Sequence, residues 1–116
     1  MSPKYTDRQL LEMIYENAVD LRRVIAEKDL TRQVIMSDRF YQWATALPLL
    51  QIGEYVDRLS DEYKEEHNEV DWIAIENLRH RLVHDYVGIK WNMIAEIVFD
   101  DLPELIEQLE RLRQEE

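Results

Sequence analysis

Cysteine is absent from this sequence. That excludes disulfides and thiolate metal sites and suits a reducing cytoplasm, which is the expected location. Glycine and proline are scarce, 2 and 3 residues among 116. So few interruptions argue against a many-turned β fold and for long helices. Long apolar runs are missing too. The longest, residues 44–50, contains Thr45 and Pro48, and nothing approaches the roughly 18 apolar residues of a membrane span. The first seven residues lack the apolar stretch of a signal peptide, so no membrane association is expected. Positive charge is also in short supply: 14 Lys and Arg face 25 Asp and Glu, a net charge of −11. A nucleic-acid binder normally carries a basic footprint, because phosphate contacts supply most of its affinity. This chain as a whole has none, so any RNA it touches must be held by a local patch.

What is present suffices for a globular unit. The apolar fraction is 46%, normal for a soluble protein. A chain of this length fits a single domain over residues 1–116 and can bury about two-thirds of its unfolded surface.

Period and caps point to five helical stretches. Thr6-Asp7-Arg8-Gln9 matches a capping box, and Leu11, Ile14, Ala18, Leu21 and Ile25 follow it at helical spacing to near Glu27. A polar stretch over 28–36 is expected to be a loop, before a second cap signal at Ser37-Asp38. The next helix carries two apolar stripes, Phe40, Trp43, Leu47 and Leu50, then Leu49, Ile52, Val56, Leu59 and Tyr63. The offset between them falls near Pro48, where a kink is expected. Gly53 is costly in mid-helix and predicts close approach of another backbone. Residues 64–70 are charged and expected to form a loop. Asp71 caps a third helix through Leu82, ending near 85–88. A short fourth helix holds Trp91, Ile94, Ile97 and Val98. Asp101-Leu102-Pro103-Glu104 reads as a fresh cap for the last helix, which frays at 114–116. No stretch alternates with period two. The expected fold is all-α, an up-and-down bundle of four to five helices.

One segment stands apart: Leu78-Arg79-His80-Arg81-Leu82-Val83-His84-Asp85-Tyr86. It holds two of the three histidines. Across residues 79–90, Arg79, Arg81 and Lys90 oppose only Asp85, a net of +2, which leaves −13 for the rest of the chain. RNA cleavage needs few parts. A base takes the proton of a 2′-hydroxyl, a cation stabilises the phosphorane-like transition state, and an acid protonates the leaving 5′-oxygen. Imidazole suits the proton transfers and guanidinium the phosphate, with no metal or cofactor required. Geometry resists a one-chain site. On an ideal helix Arg79 and His84 lie about 140° and about 7.5 Å apart. Either the helix unwinds near His84, or two copies of the segment meet across a two-fold axis.

Arg79-x4-His84-x-Tyr86 resembles the R-x(4–6)-H and H-x-Y pattern of HEPN domains, specifically HepT-like toxins. Ile52-Gly53-Glu54 resembles that family's "iGE" step, Trp72-Ile73-Ala74-Ile75 its "W-x-x-i", and Tyr86-Val87-Gly88-Ile89 its "Y-x-x-i". The match runs over 52–91, and the helical pattern extends it. The resemblance implies a metal-independent endoribonuclease toxin of a type II or VII-like toxin–antitoxin system. It implies a homodimer or higher even oligomer, RNA as substrate, and a minimal nucleotidyltransferase antitoxin as partner. Carried over, Arg79 binds the scissile phosphate and His84 is the acid/base. His80 and Arg81 support them, and Tyr86 contributes to the cleft and is the site of adenylylation (AMPylation). Two positions depart from the family pattern. His80 stands where Asn is usual and Lys90 where Asp is frequent, and which of His80 and His84 is base stays open.

Blander roles compete for the same residues. Arg79 could pair with a carboxylate on a neighbouring helix. His84 could be a helix-end histidine whose positive form suits the C-terminal dipole. Glu76, His80 and His84 share one helix face; a Glu76–His80 pair is expected there rather than a metal site. Trp43, Trp72 and Trp91 read as core or interface anchors. A catalytically silent accessory subunit of a nucleotidyltransferase is the alternative function, favoured by the charge of −11. A plain bundle that oligomerises through its stripes is the third.

Overall fold

The computed structural model describes residues 5–115. The expectations for residues 1–4 and for fraying at Glu116 lie outside the described residues. Among those described, the protein is helical throughout with no strand.

Helix α1 (Asp7–Glu27) begins as its sequence dictates. Thr6 Oγ1 accepts from Gln9 N and Gln9 Oε1 accepts from Thr6 N, a complete capping box. It buries Leu10, Leu11, Ile14, Ala18 and Leu21. It ends in a reversal where Leu30 N donates to Ile25 O and Asp29 N to Ala26 O. Asp29 takes φ 52°, the left-handed region usually given to glycine. The polar stretch that follows is not all loop. Thr31 accepts from Val34 N and starts α2 (Arg32–Ser37), whose Ile35 is wholly buried. That one anchor orders a turn too short to show a period.

Asp38 caps α3 (Arg39–Arg58) through Phe40 N and Tyr41 N. The helix runs unbroken through Pro48 but stops short of Tyr63, because Leu59 turns extended (ψ 144°) and Ser60 caps α4 (Asp61–Glu66). Thus residues 64–66 are helical rather than loop. Ser60 N and Oγ also donate to the Asp7 carboxylate at 2.8 and 2.6 Å, tying the end of α3 to the start of α1. After α5 (Trp72–His84) and a 3₁₀ turn over Tyr86–Gly88 comes α6 (Trp91–Glu96).

At Asp101 the expected new cap does not form: the residue is helical and makes no side-chain cap bond. Instead a π turn over Ile97–Asp101 joins α6 directly to α7 (Leu102–Gln114), with Leu102 N donating to Ile97 O. Pro103 explains the wider turn, since it has no N–H and its ring would press on the carbonyl four residues back.

Helix α1 packs against both α3 and α7, α5 lies along α3, and α2 bridges α3 and α6. Arg113 Nε donates to Glu12 at 2.7 Å and the Tyr15 hydroxyl to Glu110 at 3.0 Å, pinning the end of α7 to α1. Ile14, Ile52, Val56, Ile94, Ile106 and Leu109 form the centre of the core. The second stripe of α3 is therefore internal. Its first stripe is not: Phe40, Trp43 and Leu47 are 65%, 57% and 59% exposed.

Candidate active site

Helix α5 carries the motif. Asp71 Oδ1 accepts from Ala74 N at 3.0 Å to start it. Trp72 is buried, and its Nε1 donates to His67 O at 3.0 Å, which locks the entry. Leu82 holds the other end in the core. The helix stays regular through His84, its last residue, and Asp85 ends it with φ −145° and ψ 50°. In the turn that follows, Gly88 lies against the Asp85 carboxylate, which a Cβ there would displace. Buried Ile89 anchors the turn.

The motif side chains diverge. Arg79 faces α3. Its Nε donates to Glu54 Oε1 at 2.9 Å, and the pair is half-buried. The hydrogen bond to Glu54 is the main cause that lifts the Arg79 pKa above its ordinary value, against a smaller opposing effect of burial; the charges of Glu54 and Asp57 add to it. The close approach expected at Gly53 is present, and its partner is Arg79. A Cβ on Gly53 would overlap the Arg79 Cβ and lie 3.4 Å from its Cα.

His80 and His84 occupy the exposed side. Their rings are 4.5 Å apart, centroid to centroid, tilted by 49°. Arg81 is half-buried and turns toward α6, where its Nη1 lies 3.6 Å from Met93 Sδ. Tyr86 is 39% exposed and packs edge-on against Trp91, 5.8 Å between centroids. The helix does not unwind before His84, so one chain keeps Arg79 and His84 on different faces.

The expected Glu76–His80 pair gives way to another: Glu76 bonds Lys64 Nζ at 3.0 Å, because α4 brings that lysine alongside α5. Among the described residues no group of three or more His, Asp or Glu is placed to hold a metal. His67 lies apart, stacked on Tyr63 and 3.8 Å from Glu115. Of the three tryptophans, Trp72 is core, Trp91 is half-buried and Trp43 is exposed. The blander reading of Arg79, a pair with a carboxylate on a neighbouring helix, is borne out, and the carboxylate that the sequence did not single out for it is Glu54. Its signal was there, one position after a glycine in mid-helix.

A family model described as Ribonuclease HepT-like matches residues 14–112. The chain belongs to the HepT-like ribonuclease family. A candidate RNase of Caldanaerobacter subterraneus subsp. tengcongensis is 29% identical over 114 residues, covering 96% of this chain and 97% of that protein. A candidate RNase of Methanocaldococcus jannaschii is 31% identical over 110 residues, covering 95% and 89%. A Thermococcus cleftensis protein named "Probable ribonuclease HepT" is 28% identical over 90 residues, covering 74% and 82%. No solved structure matches the chain significantly. The all-α bundle is the fold expected of a HepT-like protein, and family and relatives' names alike indicate a ribonuclease. No helix among the described residues is long and apolar enough to cross a membrane.

Proposed function

We propose that residues 1–116 act as one HEPN-like unit, a metal-independent endoribonuclease toxin working in the cytoplasm as a symmetric dimer. The observation that carries this reading is the split of the motif within one chain: Arg79 is drawn to α3 by Glu54 while His80 and His84 stand on the exposed side. A two-fold pairing of α5 segments would let the guanidinium of one copy meet the imidazoles of the other. The exposed stripe of Phe40, Trp43 and Leu47 favours a second copy as its cover. At helical spacing that stripe runs on through Leu50 to Glu54, so the apolar face leads to Arg79.

In the cleavage step one imidazole takes the 2′-hydroxyl proton, the 2′-oxygen bonds to phosphorus, and the bond to the 5′-oxygen breaks. A protonated imidazole gives its proton to that leaving oxygen. Arg79 neutralises the charge gathering on the phosphoryl oxygens. The products are a 2′,3′-cyclic phosphate and a 5′-hydroxyl. In this reading His84 is one proton carrier and His80, in place of the usual Asn, is the other; their rings lie 4.5 Å apart. Arg81 supports the end of α5 from within. Tyr86, on the exposed turn after α5, is the residue a minimal nucleotidyltransferase antitoxin would adenylylate.

The test is RNA cleavage by purified protein, with the cyclic phosphate identified on the product and chelator added. Activity that resists chelator and is lost in His84→Ala supports the reading. Unchanged cleavage by His84→Ala removes it. The second reading, a silent accessory subunit of a nucleotidyltransferase, draws on the net charge of −11. It predicts a stable complex with such an enzyme and no cleavage above background.

A further inference from the structure

We propose that Glu54 is the positioning residue of the site, holding Arg79 by its Nε edge so that the terminal edge of the guanidinium is presented to phosphate. This rests on the reading of Arg79 as the phosphate-binding cation. A guanidinium has five N–H donors in one plane, one on Nε and four on the two terminal nitrogens. The Nε donor is bonded to Glu54 Oε1 at 2.9 Å. The edge formed by the two terminal nitrogens can still take two phosphoryl oxygens side by side. Among the described residues, Glu54 is the one carboxylate in an ion pair with Arg79.

Three adjacent positions of α3 build this hold. Ile52 is buried and fixes the rotation of the helix. Gly53 leaves no room for a side chain, so the Arg79 backbone rests against α3. Glu54 then reaches the guanidinium from the half-exposed side. The long arginine side chain is thus fixed at both ends, near Cα by packing and at Nε by a charged bond, which removes much of its rotamer freedom before substrate arrives. The pair of Arg113 with Glu12 is a useful contrast. It also uses Nε, at 2.7 Å, but the guanidinium there lies 4.0 Å over the Tyr15 ring, so a face as well as an edge is engaged. Both pairs join two helices, α7 to α1 and α5 to α3. Among the described residues no aromatic ring covers the Arg79 guanidinium, and the pair sits where the exposed α3 stripe meets α5.

The test compares wild type, Glu54→Ala, Glu54→Gln, Arg79→Ala and the Glu54→Ala/Arg79→Ala double variant in RNA cleavage. Circular dichroism follows folding, and the Arg79 Nε–H resonance is followed by NMR in free protein. Glu54→Ala should lower kcat by about 10- to 100-fold, and Glu54→Gln, which keeps an acceptor for Nε–H, should recover part of it. The double variant should be no slower than Arg79→Ala, as expected of one residue acting through the other. The Nε–H signal should be slow to exchange in wild type and fast in Glu54→Ala. Full activity in Glu54→Ala with a slow Arg79→Ala overturns the positioning role alone. Full activity in Arg79→Ala, or inactive wild type, overturns the reading of the site and the positioning role with it. Faster cleavage in Glu54→Ala would make Glu54 a brake, also against the proposal.

Discussion

The imidazoles of His80 and His84 stand 4.5 Å apart at the end of α5, both on its exposed side. In the proposed cleavage step these two rings are the proton carriers. His84→Ala is expected to lower cleavage by about 10²–10⁴-fold, measured as initial rates on a fluorogenic RNA. His80→Asn, which restores the usual family residue, should retain more activity than His80→Ala.

Gly53→Ala tests the contact between α3 and α5. In an open helix this change adds about 1 kcal/mol of stability. Here the new methyl would overlap the Arg79 Cβ, near the backbone rather than at a flexible tip. The sign should reverse, with a loss of about 1–3 kcal/mol typical of overpacking, read from the midpoint of urea unfolding.

Leu47→Asp tests the bare stripe of α3. Leu47 is 59% exposed, between Trp43 and Leu50 on the same face. The change should leave the helical circular dichroism intact and alter monomer stability by no more than about 0.5 kcal/mol. Sedimentation should show monomers in place of dimers, with cleavage falling in step. A folded variant that stays dimeric and active would rule out this face as the contact.

Asp29→Gly concerns the reversal after α1. Asp29 occupies φ 52° in the αL region, which costs a side-chain-bearing residue energy that glycine avoids. Thermal unfolding should show a gain of up to about 1 kcal/mol. A loss would mean that the aspartate side chain supports the turn.

Helices α1, α3 and α5 were legible because period and cap agree at each: Thr6 with Gln9, Asp38 before Phe40, Asp71 before the α5 stripe; α7 was legible by its period alone. Of the three six-residue helices, α2 and α4 were not. Their caps, Thr31 and Ser60, are ordinary, and each helix is too short for an apolar period to emerge. The glycine at 53 announced a close neighbour but not which one, because a single sequence carries no partner information. The motif at 79–86 was readable as chemistry. Its dispersal over two faces of α5 follows from the helix keeping its pitch through His84, which only the folded chain reveals. The lysine that takes Glu76 away from His80 arrives on α4, one of the two helices that sequence could not see.

The wide turn at Ile97–Asp101 has a bearing on how this chain tolerates change. It lodges one extra residue in an otherwise continuous rod, so the side chains beyond it are out of phase with those before by about 100°. Residues of α6 can thereby lie on α2 while those of α7 lie on α1. Deleting any single residue between 97 and 101 would restore ordinary pitch and swing Ile106, Leu109 and Leu112 away from their seats against α1. A one-codon deletion there should be far more damaging than the same deletion in the turn at 67–70, although neither touches the motif.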